Sequence, residues 1–151
     1  MSKSSKRINN ELKTLTTKSC CGAVVNVPDP NNIYKWEVIL PGPKGSAYEN
    51  GKFKLSFEFP DQYPFKHPEV KFITPMYHPN IKSDTGEICA DVFANNWVPT
   101  QKVNDIIEKL SSLLMKPETD SPLEAEIAQL YLKDRKKWEN NVKNFIKKHS
   151  N

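Results

Sequence analysis

The 151-residue chain has little cysteine: only Cys20, Cys21 and Cys89. An odd count with no Cys-x-x-Cys pair indicates neither a disulfide framework nor a common zinc motif, so no metal site is expected. No apolar run approaches the roughly 18 residues that cross a bilayer. Residues 1–6 are polar and lack the apolar stretch of a secretory signal. His149, Ser150 and Asn151 form no lipidation or peroxisomal address. Together these absences predict a cytoplasmic and/or nuclear protein with no membrane partner. Repeats, low-complexity segments and long linkers are also missing, which predicts one domain over residues 1–151, burying roughly two-thirds of its unfolded surface. The net charge is +4, with Lys and Arg crowded at both ends around a more acidic middle. Basic ends can steer an acidic partner. The sequence carries no nucleic-acid fingerprint and no basic-aromatic interleaving, so no specific nucleic-acid partner is expected.

The periodicities come in blocks. Ile8, Leu12 and Leu15 fall on one face of a first helix, with Ser4 or Ser5 available as its cap. Residues 23–27 form a short apolar strand candidate. Tyr34, Trp36, Val38 and Leu40 alternate with Lys35, Glu37 and Ile39, and Pro41 to Gly45 read as a turn. Phe53, Leu55, Phe57 and Phe59 alternate most cleanly, and Val70 and Phe72 mark a fourth strand. Thr100 can cap a central helix with a broad stripe of Val103, Ile106, Ile107, Leu110, Leu113 and Leu114, which Pro117 ends. Ser121-Pro122-Leu123-Glu124 reads as a capping box with Pro at the first helical position. Trp138, Val142, Phe145 and Ile146 line a last helix. A helix, then strands, then helices predict an α+β fold: an N-terminal helix, a four-stranded antiparallel sheet, an active-site loop, then central and C-terminal helices.

Between Thr74 and Trp97 the periodicity disappears among Pro75, Pro79 and Gly86. So long an irregular stretch is functional or disordered. The apolar Ile81, Ile88, Val92, Phe93 and Trp97 argue for an ordered loop, and Cys89 lies within it. A lone cysteine is more often a small buried hydrophobe than a nucleophile, so Cys89 needs context.

Four stretches supply it: Tyr63-Pro64-Phe65-Lys66-His67-Pro68; Tyr77-His78-Pro79-Asn80-Ile81; Gly86-Glu87-Ile88-Cys89 with Trp97-Val98-Pro99; and Asp120-Ser121-Pro122-Leu123. In this order and spacing the chain resembles the ubiquitin-conjugating enzyme family, from Lys6 to Phe145. The resemblance implies the fold of that family and a cis peptide at Tyr63-Pro64. It implies that Cys89 takes ubiquitin from an activating enzyme as a thioester and passes it, with a RING- or HECT-type ligase, to substrate lysines. It implies no cofactor, because ATP is consumed by the activating enzyme.

Thiol-to-thioester exchange is nearly balanced in energy, so no strong dedicated base is required, and none is visible around Cys89. The resemblance places Asn80 beside the thioester carbonyl as a donor to the developing oxyanion; an Asn in a Pro-rich turn also readily ties its own loop. It gives His78, with Tyr77 and Pro79, the task of bracing the loop. Asp91, two residues past Cys89, reads as a carboxylate that orients the incoming lysine, against the alternative of a solvated acid. Ser121 stands where the family often has Asp, near the site entrance. It reads first as a helix cap and second as a gate whose phosphorylation would add charge. Lys6, Arg7, Phe65, Val98 and Pro99 are implied as the surface for both activating enzyme and ligase, against the alternative that Phe65 is core. Ala90, His67 and a longer interval between Asn80 and Cys89 depart from common family patterns and bear on subfamily. Two alternatives keep the fold: a conjugating enzyme for another ubiquitin-like tail, or a catalytically silent binding module. A short interval from Cys89 to Trp97 and the lack of a long N-terminal extension favour ubiquitin; Cys89 with His78 and Asn80 argues against silence.

Overall fold

A computed structural model describes residues 2–150; Met1 and Asn151, included in the expected domain 1–151, lie outside the described residues. The first helix, α1, spans Lys3–Thr17. Its cap is Ser2, whose hydroxyl accepts from the Ser5 amide at 3.2 Å, and neither Ser4 nor Ser5 does this job. Ser4 turns inward instead, with its hydroxyl 2.7 Å from that of Tyr34. The buried face carries Ile8 and Leu15 as expected, and also Glu11.

Four strands follow: β1 (Val24–Asn26), β2 (Lys35–Pro41), β3 (Lys52–Glu58) and β4 (Glu69–Phe72). They form one antiparallel sheet in sequence order. Trp36 faces Phe57, Val38 faces Leu55 and Leu40 faces Phe53 across β2 and β3, all six essentially inaccessible. A slip of one residue would turn all of them to the other side, so the alternation excludes that register. Pro41 pairs with Lys52, so the turn expected to begin there begins at Gly42. The Tyr63–Pro64 peptide is cis, as the resemblance implies.

Three further helices complete the chain: α2 (Val103–Met115), α3 (Ala125–Lys133) and α4 (Arg135–His149). The whole expected stripe of α2 is buried, and all of it but Leu113 joins the core of the sheet. Thr100 does not cap this helix. Asp105 accepts from the Lys102 amide at 2.9 Å, and Glu11 from the Val103 amide at 2.8 Å. The capping box at Ser121 is not formed either. Pro79 carbonyl takes the amides of Leu123 and Glu124 at 2.9 and 3.0 Å, which holds this stretch outside the helix. The Glu124 carboxylate accepts from the Ser83 amide instead, at 3.0 Å, and α3 starts only at Ala125.

Glu11 is the junction of three elements. Its carboxylate accepts from Arg7 Nε at 2.8 Å, from the Tyr63 hydroxyl at 2.5 Å and from the Val103 amide. It is 6% exposed. Burial and this carboxylate push the Tyr63 phenol up, so it stays a donor. Removing the acceptor leaves a buried amide and a phenol unsatisfied. Glu11→Ala should therefore destabilise by about 2–4 kcal/mol, read as a fall in urea midpoint, with Glu11→Gln between it and the parent. A loss below about 0.5 kcal/mol would show that water replaces the carboxylate.

Candidate active site

Cys89 lies on a loop with little regular structure and much internal pairing. Ile81 bridges both His78 and Ile88, and Lys71 bridges Glu87. The Cys89 amide donates to Asn80 carbonyl at 3.0 Å, and Cys89 carbonyl accepts from the Val92 amide at 3.1 Å. Two 3-10 turns follow, Ala90–Val92 and Ala94–Asn96. Gly86 lets the loop cross the sheet edge: its φ is +75°, and a Cβ there would lie 1.9 Å from Phe72 carbonyl oxygen. No side chain larger than hydrogen fits.

His78 holds this loop to the core. It is fully buried; its Nε2 lies 2.9 Å from Leu113 carbonyl on α2, and its Nδ1 lies 3.0 Å from the Asn80 amide. A backbone amide can only donate, so Nδ1 accepts and the ring proton is on Nε2. Burial lowers the pKa of the ring to about 4, against a smaller opposing effect of Leu113 carbonyl. Both nitrogens are engaged, so the imidazole braces the loop and is no base for Cys89. Its neighbours brace alongside it. Tyr77 carbonyl accepts from the Tyr48 hydroxyl at 2.6 Å, and Tyr77 hydroxyl from Asn141 at 3.1 Å. Pro79 carbonyl holds the segment carrying Ser121.

Asn80 is 1% exposed. Its amide clasps the backbone of Glu118 in both directions, Nδ2 to the carbonyl and Oδ1 from the amide, each at 2.9 Å. One Nδ2 hydrogen is thus used in fixing the loop, and the second is not assigned by these contacts. Glu118 is the partner that sequence reading missed. The contact is backbone on its side, so the identity of Glu118 carries no signal of it.

The Cys89 thiol is half-buried and lies 3.8 Å from Ser121 carbonyl. It opens into a groove of about 760 Å³ shared by Asn80, Asp91, Glu118, Asp120 and Ser121. Asp91 accepts from the Asn95 side chain, which orients its carboxylate on the rim. The groove suits a thiol that takes an extended acyl chain and meets an amine from solvent. The structure therefore brings Cys89, Asn80, Asp91 and Ser121 together, with His78, Pro79 and Tyr77 behind them.

Lys6, Arg7, Phe65, Val98 and Pro99 lie elsewhere, on a second surface. Phe65 is 75% exposed and Val98 47%; Phe65 is not core. The two loops are tied by Trp97 Nε1, which donates to Pro64 carbonyl at 2.7 Å. Lys6 and Pro99 are exposed. Arg7 is more constrained: it donates to Glu11 and to Gln101 carbonyl at 2.8 Å, and its guanidinium stands 5.6 Å from the Tyr63 ring centre. A charge on the apolar stripe of α1, Glu11 between Ile8 and Leu15, was the available sign of this junction.

The unfolded chain protonates His78 near pH 6.5 and the folded chain only near pH 4. Between these values the unfolded state binds the extra proton, so this histidine makes stability fall as pH falls from about 6.5 to about 4, and level below. The total is about 3 kcal/mol. His78→Gln should be less stable at pH 7 but lose that much less between pH 7 and pH 4, measured by urea denaturation. Parallel pH profiles would mean that the ring takes up its proton while folded.

A family model described as ubiquitin-conjugating enzyme matches residues 7–146. The chain is 41% identical over 147 residues to ubiquitin conjugating enzyme E2 B of Dictyostelium discoideum, covering 96% of this chain and 97% of that one. It is 41% identical over 143 residues to ubiquitin-conjugating enzyme E2 1 of Caenorhabditis elegans, covering 95% and 73% respectively. Among solved structures, the E2 domain of a Toxoplasma gondii ubiquitin conjugating enzyme superposes with a TM-score of 0.88 at 27% identity, over 97% of this chain and 99% of that one.

Proposed function

The chain belongs to the ubiquitin-conjugating enzyme family, and from that premise we propose that Cys89 is the residue that carries ubiquitin. The observation behind this reading is the half-open thiol on a braced loop, facing a groove. In loading, Cys89 sulfur attacks the thioester carbonyl presented by the activating enzyme, and the activating enzyme's thiolate leaves. In discharge, a substrate lysine amine attacks the Cys89 thioester, loses its proton, and the Cys89 thiolate leaves. The first exchange trades one thioester for another and needs little help. The second must neutralise an amine whose ordinary pKa is about 10.4.

Asn80 helps the second step with the Nδ2 hydrogen that Glu118 does not use, donated to the oxyanion. Asp91, at the rim, attracts and orients the ammonium before proton loss. Ser121, no longer accounted for as a helix cap, acts as a gate: its backbone touches the thiol and its side chain is exposed. No cofactor acts at this site, and ATP is spent by the activating enzyme. Lys6, Arg7, Phe65, Val98 and Pro99 bind the activating enzyme and RING- or HECT-type ligases in turn, because exposed Phe and Val beside a basic helix suit a protein docking surface. Of the two cations, Lys6 is the more open to a partner, since Arg7 is also held by Glu11 and Gln101.

With ATP, ubiquitin and an activating enzyme, the protein should form a reductant-sensitive adduct of one ubiquitin that is absent in Cys89→Ala. No adduct from folded protein would reject ubiquitin loading at Cys89. Asn80→Ala should load within a few-fold of the parent but discharge to lysine about 100-fold more slowly. Equal slowing of both steps would reduce Asn80 to loop support. Phe65→Ala should keep its melting temperature and its loading while losing most ligase stimulation; undiminished stimulation would remove Phe65 from the docking surface.

A further inference from the structure

The mechanism above leaves Cys20 and Cys21 unused. They lie in the turn between α1 and β1, closed by a hydrogen bond from the Ala23 amide to Cys20 carbonyl at 3.1 Å. Both central residues have positive φ, Cys21 at +64° and Gly22 at +73°. Such a type I′ turn ordinarily takes Asn, Asp or Gly at its first central position. Cysteine has no local hydrogen bond of the Asn kind to favour this conformation.

The strained residue brings the two sulfurs together. Cys21 Sγ lies 3.1 Å from Cys20 Sγ. That is longer than a disulfide bond of about 2 Å. It is shorter than the roughly 3.8 Å between two thiolates on one tetrahedral zinc. Cys20 is fixed from behind: its amide donates to Asn104 Oδ1 at 3.0 Å and its thiol to Asn104 carbonyl at 3.6 Å. Cys21 is exposed and open to a reagent, while Cys20 is half-buried.

We propose that Cys20 and Cys21 form a chelating dithiol site for trivalent, thiophilic metalloid compounds of the arsenous class, separate from the thiol of Cys89. A pyramidal trivalent arsenic, with bond angles closer to a right angle than to the tetrahedral value, spans two sulfurs more narrowly than zinc does. The chemistry also suits Cys20, whose thiol burial pushes up to about 12. Zinc needs thiolates already formed. An organoarsenic oxide does not: its As=O bond breaks, two As–S bonds form, both thiol protons leave on the oxygen as water, and no atom changes oxidation state. The exposed Cys21 reacts first, and Cys20 then closes the ring intramolecularly, at a high effective concentration.

Intact-mass spectrometry of the full chain treated with phenylarsine oxide tests this. The parent and Cys89→Ala should each keep one adduct, with loss of one water, in excess glutathione. Dimercaptopropanol should remove it. Cys20→Ser and Cys21→Gly should hold the adduct at least about 100-fold more weakly in glutathione. Glycine is at ease at φ +64°, so Cys21→Gly keeps the turn, and an unchanged melting temperature confirms that its loss is chemical. An adduct that glutathione strips equally from parent and single variants, or that is retained by Cys20→Ser, would overturn the dithiol site.

Discussion

The loop that carries Cys89 depends on one neutral imidazole. His78 accepts from its own loop at one nitrogen and donates to α2 at the other. A protonated ring would have no lone pair for the Asn80 amide and would be a buried, unpaired charge. Burial therefore does two things: it keeps the ring neutral, and neutrality keeps the clasp closed. The clasp sets the Asn80 backbone, Asn80 carbonyl fixes the Cys89 amide, and the Asn80 side chain fixes Glu118. Pro79, between the two, fixes the segment that brings Ser121 against the thiol. A single buried ring thus organises both walls of the groove without touching the reacting atoms.

A second constraint arranges the surface away from the groove. Glu11 draws α1, the Tyr63 loop and the start of α2 onto one carboxylate, while Trp97 ties the Phe65 and Val98 loops together. Phe65 and Val98 can stay exposed because neither holds the loops in place; Tyr63, Pro64 and Trp97 do that from beneath. Exposed apolar side chains on prearranged loops lose little conformational entropy when a partner covers them. Arg7 belongs to this scaffold as much as to the surface, which separates it from Lys6 although sequence reading had grouped them.

The strands and the central helix were legible because each presents a strict period to a single core. Trp36 to Leu40 and Phe53 to Phe57 keep their apolar side chains on the core face in the observed register. Helix starts were less legible, since amide partners come from distant residues. Val103 is capped by a glutamate of α1, and the apparent box at Ser121 is dismantled by Pro79 carbonyl. Local capping rules assume that nothing else competes for those amides. The motif stretches located the groove, but the Asn80–Glu118 clasp could not be foreseen, because a backbone partner leaves no mark in the sequence.

The two chemical steps explain why the site is so sparse. A carrier thiol must accept an acyl group and also give it up, so a site that stabilised the loaded form strongly would impede release. A powerful base beside Cys89 would hasten hydrolysis of the thioester as readily as transfer. Exchange between thiols needs neither. What must be supplied is selectivity for amine over water, and that is a matter of position. In the proposed reading the groove offers the Asp91 carboxylate for an ammonium and room for an extended tail. The exposed Phe65 and Val98 lie away from the thiol, so in the proposed reading a ligase bound there holds substrate near Cys89 without altering it. On that same reading, a plain thiol on a braced loop leaves the choice of acceptor to the partner.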